Sequence, residues 1–298
     1  MTRHLRDIDD LTGDEIKAIL HLAGHRNPPK ILEGCGVALV FEKPSLRTRN
    51  STEMAVVQLG GHPVSLQANE VGLGARETPE DVARTLERYH RAICARVFEH
   101  EKLERMAAVS SVPIVNLLSD QSHPLQALAD LLTIDHHFGG LDGKVVAYIG
   151  DANNVSRSLA LACARVGMPF RFGCPPGYGP TDAELDLIAS LGGATSVHDR
   201  ATEAADGADV VYTDVWASMG KEDEADARRR AFEGFTIDAS VMEAAAPTGI
   251  FLHCLPAHRG EEVAADVIDG TRSLVWQQAE NRMHTARAAI AFLVELSG

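Results

Sequence analysis

The 298-residue chain lacks any apolar run near the roughly 20 residues needed to cross a bilayer, and its opening MTRHLRDIDD carries no apolar signal core. Both absences give the expectation of a cytoplasmic protein with no membrane partner. No two cysteines are spaced C-x-x-C. There are five, Cys35, Cys94, Cys163, Cys174 and Cys254, an odd number for bridging. Four sit in apolar neighbourhoods and read as small buried hydrophobes in a reducing compartment, which argues against a structural zinc site. Positive charge is short, with 28 Lys and Arg against 42 Asp and Glu and a net charge of −14, so a nucleic-acid partner is excluded for want of a basic face. G-x-G-x-x-G is absent too, which removes the dinucleotide reading from the strand-turn-helix that starts near Val145. No repeat, low-complexity tract or Ser/Gly linker interrupts the chain.

What is present is a composition of 45% hydrophobic and 23% charged residues, that of a soluble globular protein long enough for two domains. In an acidic chain, arginines gathered in one place are informative. The stretch GVALVFEKPSLRTRN, residues 36 to 50, is such a place. Val37 to Phe41 reads as a buried strand, Pro44 marks a turn, and an apolar period resumes at Met54, Val57 and Leu59 as a helix. Ser45 suits the helix N-cap, and the free N–H groups and dipole of the first turn, with Arg47, Thr48 and Arg49, form a candidate anion site. An exposed basic helix start paired with Glu42 and Glu53 accounts for this string equally well when it is taken alone.

Strands and helices alternate along the rest of the chain. Asp7 to Leu22 predicts one or two helices, and His62 to Leu66 a strand. Val71 to Glu77 is a glycine-rich loop, and Pro79 opens a helix expected to reach Arg91. A strand follows in AICARVF, interrupted by Arg96, then a helix and another strand in HEKLERMAAVSSVPIVNLL. An arginine there is costly to bury without an anion, unless it lies at the strand end and reaches solvent. His123 and Gln126 lie three apart across the start of a long helix and can face one point.

A second series begins at Gly143, with a strand at Val145 to Ile149, a Gly150-Asp151 turn, and the amides of Asn153 and Asn154 at the strand's carboxyl end. Strands follow in PFRFGCP, ATSVHD, DVVYTDVW and GIFLHCLPAHRG, and a closing helix ends the chain. Between the last two strands, ASMGKEDEADARRRAFEGF reads as a mobile loop leading into a helix, its charges most simply a solvated face. The expected fold is α/β: two domains, each a mostly parallel sheet covered by helices and joined by interdomain helices. The expected division is 1–135 with a C-terminal helix 283–298, and 136–282.

Five strings stand in order: S-x-R-T-R from Ser45, HPLQ from His123, DVWASMG from Asp214, HCLP from His253 and ENRMHT from Glu280. In order and spacing they resemble the transcarbamylases, and among them the ornithine carbamoyltransferases, over nearly the whole chain. The resemblance implies that 1–135 binds carbamoyl phosphate and that 136–282 binds L-ornithine. It implies that Ser45, Leu46, Arg47, Thr48, Arg96, His123, Gln126, Cys254, Leu255 and Arg282 hold carbamoyl phosphate. Asn154, Asp214, Ser218 and Met219 would hold ornithine, and Arg96, His123, Cys254 and Asp214 would be catalytic. Outside that context, Cys254 would read as a packing thiol. The resemblance further implies L-citrulline and phosphate as products, arginine biosynthesis as the setting, no metal or cofactor, and a homotrimer with sites near subunit interfaces. Two positions depart from the family pattern: Gly72 where relatives carry glutamine, and Thr52 where relatives read S-F-E.

Overall fold

The computed structural model describes residues 2–25, 27–217 and 224–297. The chain divides into two compact units, Met1–Leu132 with Ala279–Gly298, and Thr133–Gln278. The junctions therefore fall at 132/133 and 278/279 rather than at 135/136 and 282/283, and Arg282 belongs to the first unit. No linker marks either junction in the sequence, because each lies inside a continuous helix, Pro124–Phe138 or Val275–Leu296.

The first unit opens with a 3-10 turn, Ile8–Asp10, and helix α1, Gly13–Ala23, whose capping box pairs Thr12 with Glu15. Strand β1 is Gly36–Phe41, helix α2 Leu46–Gln58, strand β2 His62–Gln67, and helix α3 Ala68–Val71. Helix α4, Pro79–Leu86, is shorter than expected, because strand β3, His90–Arg96, takes up the residues given to the helix end. After Leu86, the last of its buried positions, the chain must turn to enter the sheet. Helix α5, His100–Val109, and strand β4, Ile114–Leu118, complete the layer, and α6, Pro124–Phe138, leaves the unit.

The four strands run parallel in the order β2-β1-β3-β4. Ala38, Val40, Ile93 and Ala95 of the sheet pack on Leu86 of α4 and Met106 of α5 in one buried cluster. Each of the larger of these side chains, removed from water, contributes on the order of 1.5–3 kcal/mol, and each alanine methyl less.

Gly72, where the resemblance led to the expectation of glutamine, has a physical reason to be glycine. It caps α3 with φ +62, a left-handed conformation, and a Cβ on it would lie 2.6 Å from the Arg76 Cβ. Thr52 is buried on α2, and nothing in the structure explains it in place of an aromatic residue.

In the second unit β5 is Val146–Ile149, α7 Asn154–Val166, β6 Phe170–Gly173, α8 Asp182–Ser190, β7 Thr195–His198 and α9 Ala201–Ala205. There follow β8 Val210–Thr213, α10 Ala225–Ala231, α11 Ala239–Ala244, β9 Ile250–His253, α12 Ala265–Ile268 and the long α13, Val275–Leu296. The five strands are all parallel in the order β7-β6-β5-β8-β9. Ile149, Val211 and Phe251 pack with Trp216, Phe232 and Phe235. Parallel ladders with helical crossovers are what near-continuous apolar strands such as VAYI and IFLH demand.

In the first unit, α13 anchors the fold through a buried cation. Arg287 donates from Nη1 to Gln58 Oε1 at 2.6 Å, and from Nη2 to the carbonyls of Ala23 at 2.8 Å and His25 at 2.7 Å. It thereby satisfies one carbonyl in the last turn of α1 and one just past it, neither of which has a partner within the helix. Arg287→Met keeps the aliphatic stem but leaves the buried Ala23 carbonyl and the two partly buried acceptors without their donor. It is expected to lower stability by about 2–4 kcal/mol, read from the shift of a urea unfolding midpoint.

Candidate active site

Ligands of open parallel sheets bind beyond the strands' carboxyl ends where the strand order reverses. In the first unit that point lies between β1 and β3. Ser45 follows β1 as the N-cap of α2, its side chain accepting from the Thr48 N–H at 3.2 Å. Arg96 is the last residue of β3, opposite Phe41, and its carbonyl accepts from the Glu42 N–H at 2.9 Å. It lies at the strand end yet is only 5% exposed, so the solvent-reaching alternative is excluded.

The guanidinium groups meet at one hydroxyl. Arg96 Nη1 donates to Thr48 Oγ1 at 3.1 Å and Arg282 Nη2 donates to the same atom at 2.8 Å. A hydroxyl has two acceptor positions and one proton, so with both positions filled Thr48 can only donate to anything else that approaches. Arg282 Nη1 donates to Gln126 Oε1 at 2.6 Å, and Gln126 Nε2 donates to Asp130 Oδ1 at 2.8 Å. The sequence-predicted residues Ser45, Thr48, Arg96, Gln126 and Arg282 are thus brought together, and Leu46 and Arg47 sit in the first turn of the same helix. Leu46 is 75% exposed.

His123 is buried just before α6. Burial first, then the positive charges of Arg282, Arg96 and Arg47, hold its pKa well below the ordinary 6.5. The imidazole is therefore neutral at physiological pH, with one donor nitrogen and one acceptor. The native ring resists a proton that the unfolded chain accepts, so this group leaves stability untouched above pH 6.5 and subtracts from it as pH falls below that value. The loss is at most about 1.4 kcal/mol per pH unit. Urea midpoints are expected to fall more steeply between pH 7.5 and 5.5 in the wild type than in His123→Gln; parallel slopes would refute the assignment.

In the second unit the switch lies between β5 and β8. Asp214, just past β8, is buried and accepts from Val215 N at 2.8 Å, Asn153 Nδ2 at 3.1 Å and Cys254 Sγ at 3.0 Å. A carboxylate has about four acceptor positions, so room remains for one further donor such as an ammonium group. Asn153 caps α7, its Oδ1 accepting from Val155 and Ser156 N–H, which aims its amide N–H at Asp214. Asn154, expected to bind the acceptor, begins the helix itself. Cys254 is thus more than a packing thiol, unlike Cys94 and Cys174, whose pKa values burial pushes up to about 12. Leu255 follows with φ 60, a left-handed conformation rare for a side-chain-bearing residue. Its N–H donates to His253 Nδ1 at 2.8 Å, and His253 Nε2 lies 3.2 Å from Glu262 Oε1. Ser218 and Met219 lie outside the described residues.

Several contributors escaped the sequence reading. Asn153 reads in sequence as an amide at the strand end, but no local signal announces its grip on Asp214. Tyr148, whose hydroxyl lies 3.4 Å from Asn153 Oδ1, reads in sequence only as a strand aromatic. The charged segment after residue 217 reads as a solvated face, yet Arg228 within it is buried against Asp151, a correction that no local signal anticipates.

Two family models divide the chain. The carbamoyl-P binding domain of aspartate/ornithine carbamoyltransferase matches residues 3–136, and the Asp/Orn binding domain matches residues 142–293. The chain belongs to the aspartate/ornithine carbamoyltransferase family. Within that family, the ornithine carbamoyltransferase of Acidothermus cellulolyticus is 49% identical, over 100% of this chain and 98% of that protein. The solved ornithine carbamoyltransferase from Pyrococcus furiosus superposes with a TM-score of 0.93 at 44% identity, covering 98% of this chain and 96% of that one. The solved anabolic ornithine carbamoyltransferase from Campylobacter jejuni gives 0.94 at 33% identity, with 99% of each chain covered. The two parallel sheets with helical crossovers are the fold of these carbamoyltransferases.

Proposed function

We propose that this protein transfers the carbamoyl group of carbamoyl phosphate to the side-chain amine of L-ornithine, giving L-citrulline and phosphate. The observation that carries the reading is Thr48, turned into a pure donor by Arg96 and Arg282 beside the N-cap of α2. Such a cluster suits an anion whose neighbouring carbonyl must be polarised.

In this reading Ser45, Leu46, Arg47 and Thr48 hold the phosphate, the first turn of α2 offering its N–H groups. Arg96, neutral His123 and Thr48 donate to the carbonyl oxygen. Gln126 and the Leu255 carbonyl orient the carbamoyl NH2, Cys254 is a further carbamoyl phosphate ligand, and Arg282 ties Thr48 to Gln126. Asp214, Asn154, Ser218 and Met219 receive ornithine, and Asp214, with Cys254 hydrogen-bonded to it, binds the side-chain ammonium and takes the proton it must lose before it attacks. The amine lone pair forms the new C–N bond, and the carbonyl oxygen gains the negative charge that the donors stabilise. Collapse then breaks the C–O bond to phosphate, which carries the electron pair away and takes the proton that the attacking nitrogen loses. Orientation and preorganised dipoles drive these steps, and none is assigned to a metal or organic cofactor.

The test is colorimetric ureido-product formation from carbamoyl phosphate with L-ornithine, L-aspartate, putrescine and N-acetyl-L-ornithine side by side. Strong preference for ornithine is the expected result. Turnover of another amine would reassign the acceptor, and no turnover with any, in protein that binds carbamoyl phosphate, would overturn the enzymatic reading.

The same proposal extends to setting and assembly. The anabolic name of a relative supports arginine biosynthesis, tested by rescue of an arginine auxotroph that lacks this activity. None of the five cysteines is in a disulfide, and no helix among the described residues is long and apolar enough to cross a membrane, both in keeping with a cytoplasmic protein. A homotrimer accords with Leu46, Met54 and Val57, which sit at helical spacing on α2 and are 75%, 47% and 47% exposed. Light scattering that gives a monomer mass would refute it.

A further inference from the structure

Helix α10 carries an arginine that the proposed transfer does not use. Arg228 is 4% exposed. Its Nη1 donates to Asp151 Oδ2 at 2.7 Å and to the Trp216 carbonyl at 2.9 Å, and its Nε donates to Glu224 Oε2 at 2.9 Å. The guanidinium also lies 5.2 Å from the centroid of the Tyr178 ring.

The two residues joined through Nη1 stand on different loops. Asp151 begins the turn after β5 that leads to Asn153 and Asn154, while Trp216 lies two positions beyond Asp214, after β8. One guanidinium therefore bridges the two loops that flank the switch point of the second sheet. The span matters because Asn153 on one loop must meet Asp214 on the other at 3.1 Å. Asp151 also belongs to the same electrostatic neighbourhood: after burial, the charges of Asp214, Cys254 and Asp151 are what raise the Tyr148 pKa far above its ordinary value. The guanidinium on Asp151 offsets one of the two carboxylate charges that act on Tyr148. Its planar fork lets Nε hold Glu224 while Nη1 makes the bridge, so the bridging nitrogen is fixed in direction as a free-swinging ammonium is not.

We propose that Arg228 is a positioning residue for the amino-acid acceptor, fixing the Asp151–Asn154 turn against the Asp214–Trp216 segment so that the acceptor site is preformed. This rests on the assignment of Asp214 and Asn154 to the acceptor half. The experiment compares Arg228→Met, Arg228→Lys and Asp151→Asn with the wild type. It reads kcat and KM for ornithine in the ureido assay and the Kd of carbamoyl phosphate by calorimetry.

Arg228→Met is expected to raise the ornithine KM roughly 10- to 100-fold while the carbamoyl phosphate Kd stays within about twofold, since a misplacement of about 1 Å is costly to a preformed site. Arg228→Lys should recover part of the loss by pairing with Asp151. Asp151→Asn should raise the ornithine KM in the same direction, which keeps the proposal open to test if Arg228→Met fails to fold. A wild-type ornithine KM in Asp151→Asn and in folded Arg228→Met overturns the proposal. So does a parallel loss of carbamoyl phosphate binding, or a lysine variant no better than methionine. Wild-type turnover of ornithine is measured first: its absence overturns the acceptor assignment, whereas normal KM values in the variants overturn only the role of Arg228.

Discussion

Replacing Arg96 with leucine is expected to lower kcat by about 10²–10³-fold, the scale of losing one preorganised donor to a developing oxyanion. The charged donor is held where it is needed before any substrate arrives. Its backbone is locked into the sheet opposite Phe41, its carbonyl takes the Glu42 N–H, and its Nη1 is fixed on Thr48. Leucine keeps the apolar volume of the stem, so the strand and its packing on α4 and α5 should persist. The loss is therefore chemical rather than structural. It also frees one acceptor position on Thr48, whose hydroxyl is then no longer compelled to donate outward. The decisive readout is single-turnover product formation at saturating carbamoyl phosphate, with cooperative unfolding checked by circular dichroism. A folded Arg96→Leu protein within tenfold of the wild-type kcat would remove Arg96 from the reaction.

The sequence carried the first unit further than the second, for a physical reason. The anion cradle is local: a buried strand, Pro44, a serine N-cap and two arginines lie within 15 residues, and each has a period or capping signature that survives without tertiary context. Arg96 was also legible, because a cation within an apolar strand demands an anion or an exit to solvent, and its burial selects the first. The two parallel sheets followed from the alternation of apolar strands with helices. What stayed hidden depends on side chains far apart in the chain. Asn153, Asp214 and Cys254 are 61 and 40 residues apart and meet only because β5, β8 and β9 are neighbours. Arg228 reaches across 77 residues to Asp151, so a segment dense in charge concealed one buried pair among solvated ones. The end of α4 was misplaced because Glu87 to Tyr89 carry no proline or glycine to announce the turn into β3. Likewise Gly72 seemed a lost side chain, whereas the fold uses its left-handed φ to close α3.

Asp214→Asn is expected to lower kcat/KM for ornithine by about 10³-fold while the Kd for carbamoyl phosphate changes by less than about threefold. The substitution is close to isosteric, so Val215 N–H and the Cys254 thiol can still donate to the remaining oxygen. The new amide, however, presents N–H groups toward Asn153 Nδ2, placing donor against donor where the native pair is 3.1 Å apart. Asn153 cannot turn its oxygen to meet them without releasing the Val155 and Ser156 N–H groups that it caps, a conflict worth about 1–3 kcal/mol of stability. Both consequences have one cause, the loss of a buried carboxylate that three donors hold in place with one acceptor position to spare. The two readouts separate its roles. The urea midpoint reports the donor conflict, and the ratio of ornithine kcat/KM to carbamoyl phosphate Kd reports the missing charge at the incoming amine. If both substrates weakened equally in folded protein, the division of labour between the Thr48 cluster and the Asp214 cluster would be wrong. If ornithine were still used at wild-type efficiency, the amine would have to be received elsewhere.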